Sequence, residues 1–379
     1  MQRKLKILFT TEDFYPKSIG GQGIYGYKLV TELKKLNCQV CVLAENNDSR
    51  LIFWRDKGVK LLLTPFCFGN QLLLSFLEFA IFQLNLRKEE FDILHANQLS
   101  GLFFILFKPK NVKKIVVSIH NTNDDLSLIT KSRFKRLFYR PIVIIEKFIY
   151  QKADILLFHS ELEKKEFEKK YQYLNIYPQI IPHGADLPVK SIYEAEREKF
   201  KMKYKFNKDQ KIILTVARLV EKKRIDRLIK AIQTVNKESS KVGLIIIGEG
   251  RDGKKLLKGS PPGIIFLGSK KYDELDYFFE ISDIFLLCSE AEGGVSLAAL
   301  QASAYEIPLI LSQEISDPIL KNEFNGIVIE KITTKNIAVA IFKVCKNYNL
   351  YIKNTQKITK PLSWYKIAKV TLNFYQRLV

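Results

Sequence analysis

The stretch Glu290-Ala-Glu-Gly-Gly-Val-Ser-Leu-Ala-Ala-Leu-Gln-Ala-Ser-Ala-Tyr-Glu-Ile-Pro308 decides how the second half of the chain folds. An apolar run lies on each side of it, at 281–288 and at 309–312, and each run predicts a buried strand. Residues 296–304 are rich in Ala, Leu and Gln, which favour the helix that a crossover between parallel strands requires. The stretch therefore predicts a strand, a glycine turn, a helix and a second strand.

The glycine turn of this unit, Gly293-Gly294, lies where the predicted helix begins. Unpaired backbone N–H groups and the positive end of the helix macrodipole meet at that point. An anion such as a diphosphate is therefore the favoured occupant. The alternative is an ordinary βαβ unit with a tight turn and no ligand.

The length of 379 residues and the apolar content of 47% predict two folded domains. The five cysteines are odd in number and fall mostly in predicted strands and helices, which indicates reduced core residues. Cys38 and Cys41 form a C-x-x-C pair, but three residues apart on a strand they point to opposite faces. Because no second Cys or His pair accompanies them, we expect no metal and no redox centre.

The net charge of +21 indicates an anionic partner. Nucleic acid, an anionic membrane and a phosphorylated substrate are the three candidate classes. No recognised nucleic-acid module accompanies the charge, so we expect no nucleic-acid partner. No secretory signal precedes the first predicted strand, and the most apolar stretch, 72–86, is too short and too polar to span a bilayer.

The first half alternates strands and helices, as in a doubly wound sheet whose ligand crevice lies at the carboxyl ends of the strands. The cluster Gly20-Gly21-Gln-Gly23 lies between the first strand and a helix over 24–36, where it could cradle a phosphate or form a plain tight turn. The predicted strands are 6–10, 39–44, 91–95, 114–119 and 153–158.

Three polar residues, His95, His120 and Ser160, lie at those carboxyl ends. A lone histidine is more often structural than catalytic, and we place His95 in that class. His120 differs because Ser118-Ile-His-Asn-Thr-Asn123 leaves its strand directly into a polar loop. From there a side chain reaches the crevice, so His120 is predicted to be a site residue.

The segment 131–152 holds seven basic residues and a single acid, Glu146, while aromatic and leucine residues recur at helical spacing. A basic helix with an aromatic face is typical of docking onto an anionic membrane surface. The alternative is a solvated charged face above a stripe that faces the core. The predicted docking residues are Arg133, Lys135, Arg136 and Arg140.

The second half repeats the alternation after a turn at 181–186 and a charged run at 193–210. This repetition predicts a second α/β domain, with a cleft between the two domains. The predicted elements are strand 212–217, helix 225–236, strand 242–248, helix 252–257 and strand 264–268.

Motifs in both halves resemble those of glycosyltransferase family 4, retaining enzymes with the GT-B architecture of two Rossmann-like domains. They occur in the family order and roughly at the family spacing, and they cover almost the whole chain. Besides the opening stretch, the motifs are Tyr15-Pro with Gly20-Gly21, Asp92-Ile-Leu-His95, Ser118-Ile-His120, Ile181-Pro-His-Gly-Ala-Asp186, Val216-Ala-Arg-Leu-Val-Glu-Lys-Lys-Arg-Ile-Asp226, Ile246-Ile-Gly-Glu-Gly250, Phe266-Leu-Gly268, Ser282-Asp-Ile-Phe-Leu-Leu-Cys-Ser289, Asn325-Gly-Ile-Val328 and Ser363-Trp-Tyr-Lys-Ile-Ala368.

The resemblance implies an α/β fold of two doubly wound, Rossmann-like domains that face each other across a cleft. Residues 1–186 would form the acceptor-side domain and 187–360 the nucleotide-sugar-binding domain. The last motif resembles the family's terminal helix, so 361–379 would cross back onto the first domain.

The resemblance also implies roles for single residues. Negative charge gathers on the diphosphate as a sugar leaves, and without an acidic metal motif that charge needs fixed cations. Arg218 and Lys223 match the family's diphosphate clamp, a fork and a point charge. Gly21, with Gly20 beside it, matches the phosphate loop, and His120 matches the histidine near the donor sugar.

The stretch 290–308 departs from the family pattern of two glutamates separated by seven residues. Counting back from Pro308, the second position is Gln301 and the first is Gly293; Glu292 fits if one residue is inserted, and Glu290 fits less well. Gln can bond a ribose, but without the charge that makes such bonds about twice as strong. The predicted donor-binding residues here are Gly293, Gly294, Val295 and Gln301, with Glu292 as a catalytic candidate.

Two further positions depart from the pattern. Arg224 stands where the family prefers a small residue, and Tyr305-Glu306 stands where it prefers Cys-Gly or a similar pair.

The leading interpretation is a metal-independent, retaining hexosyltransferase that uses a nucleotide sugar and no cofactor. It would act in polysaccharide biosynthesis on a lipid-linked or surface-glycan acceptor, from the cytoplasm and peripherally associated with the inner face of the cell membrane. The alternative is a catalytically silent relative that serves as partner or chaperone subunit of an active transferase, and Gln301 is the residue that argues for it.

Overall fold

The computed structural model describes most of the chain in two compact units. Unit 1 comprises Met1–Gly184 and Leu362–Val379, and unit 2 comprises Ala185–Pro361. For residues 52–56 and 133–142 the structure describes the backbone but not the side chains. The described residues are 4–15, 20–45, 52–56, 59–64, 71–120, 133–172, 174–188, 194–238, 242–258, 261–290, 294, 296–316, 318–358 and 361–379.

Unit 1 contains a sheet whose described strands follow the order β3-β4-β2-β1-β5-β6-β7-β8. All neighbours are parallel except β3 and β4. The order changes direction at β1, whose neighbours are β2 and β5. The strands are β1 Lys6–Thr11, β2 Gln39–Glu45, β3 Ile52–Asp56, β4 Val59–Thr64, β5 Phe91–Asn97, β6 Val112–Ser118, β7 Ile155–Phe158 and β8 Pro178–Ile180.

The helices of unit 1 connect these strands and cover the sheet. β5 and β6 are buried along most of their length, as expected for central strands of a parallel sheet. The described helices are α1 Gly21–Lys35, α2 Gln71–Asn85, α3 Leu102–Phe107, α4 Arg133–Lys152, α5 Glu161–Lys170 and the C-terminal α13 Trp364–Leu378.

The C-terminal helix α13 belongs to unit 1 although it follows unit 2 in the chain. Ser363 caps it by accepting a hydrogen bond from the N–H of Lys366. Its buried face contains Trp364, Ile367 and Tyr375, and the helix contacts α1.

Unit 2 contains a parallel sheet with the strand order β11-β10-β9-β12-β13-β14 among the described residues. Its strands are β9 Lys211–Val216, β10 Val242–Ile247, β11 Ile264–Phe266, β12 Ile284–Leu287, β13 Leu309–Ser312 and β14 Gly326–Ile329. Its described helices are α6 Glu194–Lys203, α7 Ile225–Glu238, α8 Gly253–Lys258, α9 Leu275–Ile281, α10 Leu297–Ala304, α11 Thr334–Lys346 and α12 Tyr348–Thr355.

The stretch 290–308 and the apolar runs on each side of it show the predicted order of strand, helix and strand, with one correction. The apolar run 281–288 is not a single strand, because Ile281 ends α9 and β12 begins only at Ile284. The hydroxyl of Ser282 donates to the carbonyl of Phe278 and closes the last turn of α9. An apolar run alone cannot distinguish a buried helix end from the start of a buried strand.

Candidate functional site

The sheet of unit 2 changes direction between β9 and β12, its two central strands. In a doubly wound sheet the ligand crevice lies at this point, outside the carboxyl ends of the strands. The loop 217–224 follows β9, and the loop 288–290 follows β12. Both loops hold residues that the sequence predicts for the donor site.

The loop after β9 carries four basic residues, Arg218, Lys222, Lys223 and Arg224. Arg218 is exposed, whereas Lys223 is only 8% exposed at the end of a short 3-10 helix, Glu221–Lys223. Arg224 then adopts a left-handed conformation with φ of 48°. The predicted clamp residues Arg218 and Lys223 thus follow β9, at the point where the strand order of the unit 2 sheet changes direction. This point is the switch point of the sheet.

Two contacts join this loop to the loop after β12. The backbone N–H of Glu290 donates to the carbonyl of Lys222 at 2.9 Å. The Nε of Arg224 donates to the carboxylate of Glu290 at 2.7 Å, and Arg227 lies 3.9 Å from the same oxygen. Glu290, the weaker candidate for the first family glutamate, is therefore engaged in ion pairs with two arginines.

The start of α10 follows the loop after β12. Ser296 is the N-cap residue, and Gly294 has a φ of 121°, a conformation that L side chains rarely adopt. Gly294 of the predicted turn thus lies just before a helix N-terminus, as the sequence predicts. Three of the predicted residues, Glu292, Gly293 and Val295, lie outside the described residues.

Gln301 lies in the middle of α10 and is only 4% exposed. Its Nε2 donates to the carbonyl of Asp186, and its Oε1 accepts from the N–H of Asp186, both at 3.0 Å. The amide is therefore paired with the backbone at the start of unit 2. A role of Gln301 towards a ribose stays a prediction.

In unit 1, all four histidines of the chain surround one tyrosine, Tyr25 of α1. The ring centroid of Tyr25 lies 4.8 Å from that of His159, 5.1 Å from those of His120 and His183, and 6.2 Å from that of His95. His95 is in β5, and the other three histidines follow the ends of β6, β7 and β8. The carboxyl edge of the sheet therefore assembles a polar aromatic cluster.

His95 has the bonding expected of a structural histidine. Its Nδ1 is hydrogen-bonded to the hydroxyl of Tyr375 in α13, and its Nε2 to the hydroxyl of Ser118, both at 2.5 Å. Because the side chain is completely buried and both ring nitrogens are paired, it has no atom left for a ligand.

His120 is more accessible than His95. Its Nε2 lies 3.3 Å from the Oδ1 of Asn97, and Asn97 donates through Nδ2 to the hydroxyl of Thr11. Burial and the nearby His159 and His95 hold the pKa of His120 well below its usual range, so the ring is neutral at neutral pH.

His159 and His183 join His120 in a stack of nearly parallel rings. The centroids of His159 and His183 are 3.9 Å apart, and those of His120 and His159 are 4.8 Å apart. The sequence "His-Ser-Glu-Leu-Glu" holds His159 in place, because Ser160 caps α5 and the carboxylate of Glu163 accepts the N–H of His159 at 2.6 Å. Sequence reasoning missed both residues, although His183 lies inside the motif at 181–186.

Gly20 and Gly21 lie at the N-terminus of α1, the helix that follows β1 in the chain. Gly20 is the N-cap residue, and its carbonyl accepts the N–H of Ile24 at 3.1 Å. The helix starts at Gly21, three residues before the predicted start at Ile24, because the cluster of glycines is part of its first turn.

The predicted membrane-docking residues lie in α4, which extends over Arg133–Lys152. The side chains of Arg133, Lys135, Arg136 and Arg140 are outside the described residues. In the part of α4 that is described, Ile144 is 68% exposed and Phe148 is 37% exposed, while Ile149 is buried. Among the helices that the structure describes, none combines the length and apolar character needed to cross a bilayer.

Comparison with known proteins gives two family matches. Residues 196–360 match the family of glycosyl transferases group 1, and residues 19–188 match glycosyltransferase family 4. An uncharacterized glycosyltransferase of Methanocaldococcus jannaschii is 29% identical over 315 residues, which are 78% of this chain and 77% of that protein. A GDP-mannose-dependent alpha-(1-6)-phosphatidylinositol monomannoside mannosyltransferase of Mycobacterium tuberculosis is 23% identical over 50% of this chain and 52% of its own.

Solved structures show the same fold. Sucrose-phosphate synthase from Thermosynechococcus elongatus superposes with a TM-score of 0.81 at 18% identity and covers 99% of both chains. Anabaena HepE in complex with UDP and glucose superposes with a TM-score of 0.74 at 14% identity, covering 98% of this chain and 99% of HepE. The two Rossmann-like domains are those of the GT-B architecture.

Proposed function

The chain belongs to glycosyltransferase family 4 and is a glycosyltransferase that uses a nucleotide-sugar donor, and from this premise we propose a specific reaction. The protein transfers a hexose with retention of anomeric configuration and without a metal ion. The acceptor is a lipid-linked or surface glycan used in polysaccharide biosynthesis, and the protein reaches it from the cytoplasmic face of the membrane.

The basic loop at the switch point of unit 2 supports the donor half of the proposal. When the sugar leaves, negative charge develops on the diphosphate, and prealigned cations stabilise that charge. Arg218 supplies a planar fork and Lys223 a point charge in the same loop. The hydrogen bond from Arg224 to the carboxylate of Glu290, at 2.7 Å, joins this loop to the one that leads into α10. The placement of Arg218 and Lys223 in one loop, at the point where the sheet of unit 2 changes direction, is the observation that carries the proposal.

The proposal assigns further roles to residues in both units. In this proposal the N–H groups of Gly293, Gly294 and Val295 contact the diphosphate, and Glu292 lies beside the donor sugar, as the sequence predicts. In unit 1, Gly20 and Gly21 approach the phosphates through their backbone. His120, neutral at physiological pH, accepts a hydrogen bond from a sugar hydroxyl or donates one to it.

The acceptor half of the proposal is supported by exposed apolar residues on three helices of unit 1. α3 contacts both α2 and α4. Apolar side chains on all three are exposed, and the basic α4 combines with them to favour an anionic membrane surface. The mannosyltransferase relative is named for a phosphatidylinositol lipid, which is consistent with a lipid-linked acceptor. The exposed residues are Leu73, Phe76, Leu106, Phe107, Ile144 and Phe148.

A donor screen combined with two substitutions tests the reaction. UDP-, GDP- and TDP-sugars are screened for thermal stabilisation of the purified protein and for release of the nucleotide. In Arg218→Ala and in Lys223→Ala, turnover of the best donor should fall by about 10²–10³, as after loss of a transition-state donor.

Lys230→Ala is the matched control, since Lys230 is an exposed lysine of α7 away from the loop. Circular dichroism checks that Lys223→Ala, which changes a buried side chain, retains its fold. Normal turnover in both clamp variants would exclude the clamp. Binding of a nucleotide sugar without turnover in the wild type would instead support the catalytically silent partner subunit.

A further inference from the structure

We propose that His120, His159 and His183 form a binding site for a divalent transition-metal ion of the zinc class. Each of the three residues offers one ring nitrogen, and these nitrogens all lie within 4.8 Å of one another. They come from three loops at one edge of the sheet of unit 1. The proposed transfer reaction uses His120 but gives no role to His159 or His183.

The hydrogen bond of the His159 ring fixes the tautomer that a metal ligand needs. Its Nδ1 lies 2.9 Å from the carbonyl of Ile181, which can only accept, so Nδ1 carries the proton. Nε2 then has a free lone pair, and this buried atom has no hydrogen-bond partner among the described residues. Metal-ligating histidines typically donate their other ring N–H to a backbone carbonyl in this way.

His120 has the same arrangement with the nitrogens exchanged. The amide of Asn97 donates through Nδ2 to the hydroxyl of Thr11, so its Oδ1 is free to accept. Oδ1 lies 3.3 Å from Nε2 of His120, which assigns the proton to Nε2 and the lone pair to Nδ1. The side-chain oxygen of Asn97 thus accepts the N–H of His120, as the backbone carbonyl of Ile181 accepts that of His159.

His183 supplies the third nitrogen. Its Nδ1 is buried and has no hydrogen-bond partner within the described part of the chain. A buried polar atom without a partner is destabilising, and two such nitrogens make a cation an effective partner for both.

The protonation state of the cluster also favours a metal ion. Burial lowers the pKa of His159 to about 4, and burial together with the neighbouring histidines holds the pKa values of His120 and His183 well below their usual range. The rings are therefore neutral imidazoles at neutral pH, the form of histidine that binds metal ions.

The three nitrogens, which lie within 4.8 Å of one another, have to approach the separations of a bound site. Zinc–nitrogen bonds are 2.0–2.1 Å long, so the nitrogens of a tetrahedral site lie about 3.4 Å apart. Three imidazoles leave a fourth position open, and imidazole ligands suit zinc, copper and nickel.

Cys38 and Cys41, the cysteines of unit 1 that the structure describes, do not compete for the ion. Burial raises the pKa of Cys38 to about 11 and that of Cys41 to about 12, so both remain thiols. The thiolate is the form that binds metals. In the part of the chain that the structure describes, the three histidines are the group with the spacing of a metal site.

Zinc titration of the full chain, freed of any polyhistidine tag, tests the proposal. Isothermal calorimetry should show binding of one Zn²⁺ per chain. X-ray absorption at the zinc edge of the wild-type complex should show scattering from imidazole ligands, a result that requires no variant. Affinity should fall at least about tenfold in His159→Gln and in His183→Gln, because even the loss of an outer partner of a metal ligand costs about 10–100-fold.

His95→Gln is the matched control, since it removes the fourth histidine of the cluster and leaves the three proposed ligands. It should bind Zn²⁺ as the wild type does. The proposal is wrong if the wild type does not bind Zn²⁺, if the absorption spectrum lacks imidazole scattering, or if folded His159→Gln and His183→Gln bind Zn²⁺ normally.

An effect on sugar transfer would follow only if the proposed function is right. His120 is assigned there to the donor sugar, so Zn²⁺ should inhibit transfer in the wild type and less in His159→Gln. The calorimetric and absorption measurements do not depend on activity, so they separate failure of the metal site from failure of the proposed function.

Discussion

Gln301 uses both ends of its amide on a single backbone residue. It donates to the carbonyl of Asp186 and accepts from the N–H of the same residue, each at 3.0 Å. A glutamate, which the family pattern has at this position, could keep only the second of these bonds while ionised. The amide thus matches its surroundings in a way that a carboxylate would not.

We predict that Gln301→Glu destabilises unit 2 by about 1–3 kcal/mol at neutral pH, because a buried carboxylate oxygen would face the carbonyl of Asp186. Burial and that carbonyl raise the pKa of the new carboxyl above its unfolded value of about 4.3. The folded variant then binds more protons than the unfolded chain, so the deficit grows as pH rises above about 4.3 and vanishes below it.

Chemical denaturation of wild type and variant across this pH range measures the difference. Gln301→Met, which lacks the titrating group, should show a deficit that does not vary with pH. If Gln301→Glu were as stable as the wild type at neutral pH and bound nucleotide sugars more tightly, the amide would be a ribose ligand rather than a support for Asp186.

The two other departures from the family pattern share a backbone feature. Arg224 has a φ of 48° and Glu306 a φ of 59°. Glu306 lies just after α10, at the position where a helix commonly ends with glycine in the left-handed conformation. The family's preference for a small residue or Gly therefore has a backbone reason at both positions. This sequence accepts strain there, and at Arg224 the ion pair with Glu290 offsets it.

At the scale of elements, the sequence predicts the central strands well because their buried apolar runs are continuous. β13 has the predicted bounds, and α10 starts one residue after the predicted start because Ser296 is its cap. The histidine cluster could not be predicted in the same way. His120, His159 and His183 are far apart in the chain, and only the strand order β6-β7-β8 brings the ends of their strands together.

The α4 helix carries the membrane prediction. Reversal of Arg133, Lys135 and Arg136 to Glu should weaken binding to anionic phosphatidylserine vesicles at low salt by at least about a hundredfold, because each basic residue near the surface contributes about 1 kcal/mol. Vesicle co-sedimentation measures the change.

The control for α4 is the reversal of Lys254, Lys255 and Lys258, three exposed lysines of α8 in unit 2. It changes the net charge by the same amount but on another surface, so it should leave most of the binding intact. Equal loss in the two triple variants would mean that the net charge of +21, and not α4, attracts the protein to the vesicles.

At the scale of the whole molecule, the chain leaves unit 1 at Gly184 and returns to it at Leu362. Gly184 and Trp364 mark the two crossings and contact each other. A Cβ on Gly184 would lie 2.7 Å from Cδ2 of Trp364, so only glycine allows the contact. Farther along α13, Tyr375 is hydrogen-bonded to His95 in the centre of the sheet. Unit 1 therefore includes the last residues of the chain in its core.

We predict that Trp364→Ala, a change near the C-terminus, destabilises the N-terminal strands of unit 1 and not the strands of unit 2. Trp364 is only 3% exposed, and loss of a buried Trp costs about 3–5 kcal/mol, a large share of the stability of a domain. Hydrogen–deuterium exchange, followed by mass spectrometry, should show loss of protection in β1, β5 and β6 with β9, β10 and β12 unchanged. Tyr365→Ala on the same helix is the control, because Tyr365 is 43% exposed. Equal loss of protection in both units would instead show that the two units unfold together as one cooperative system.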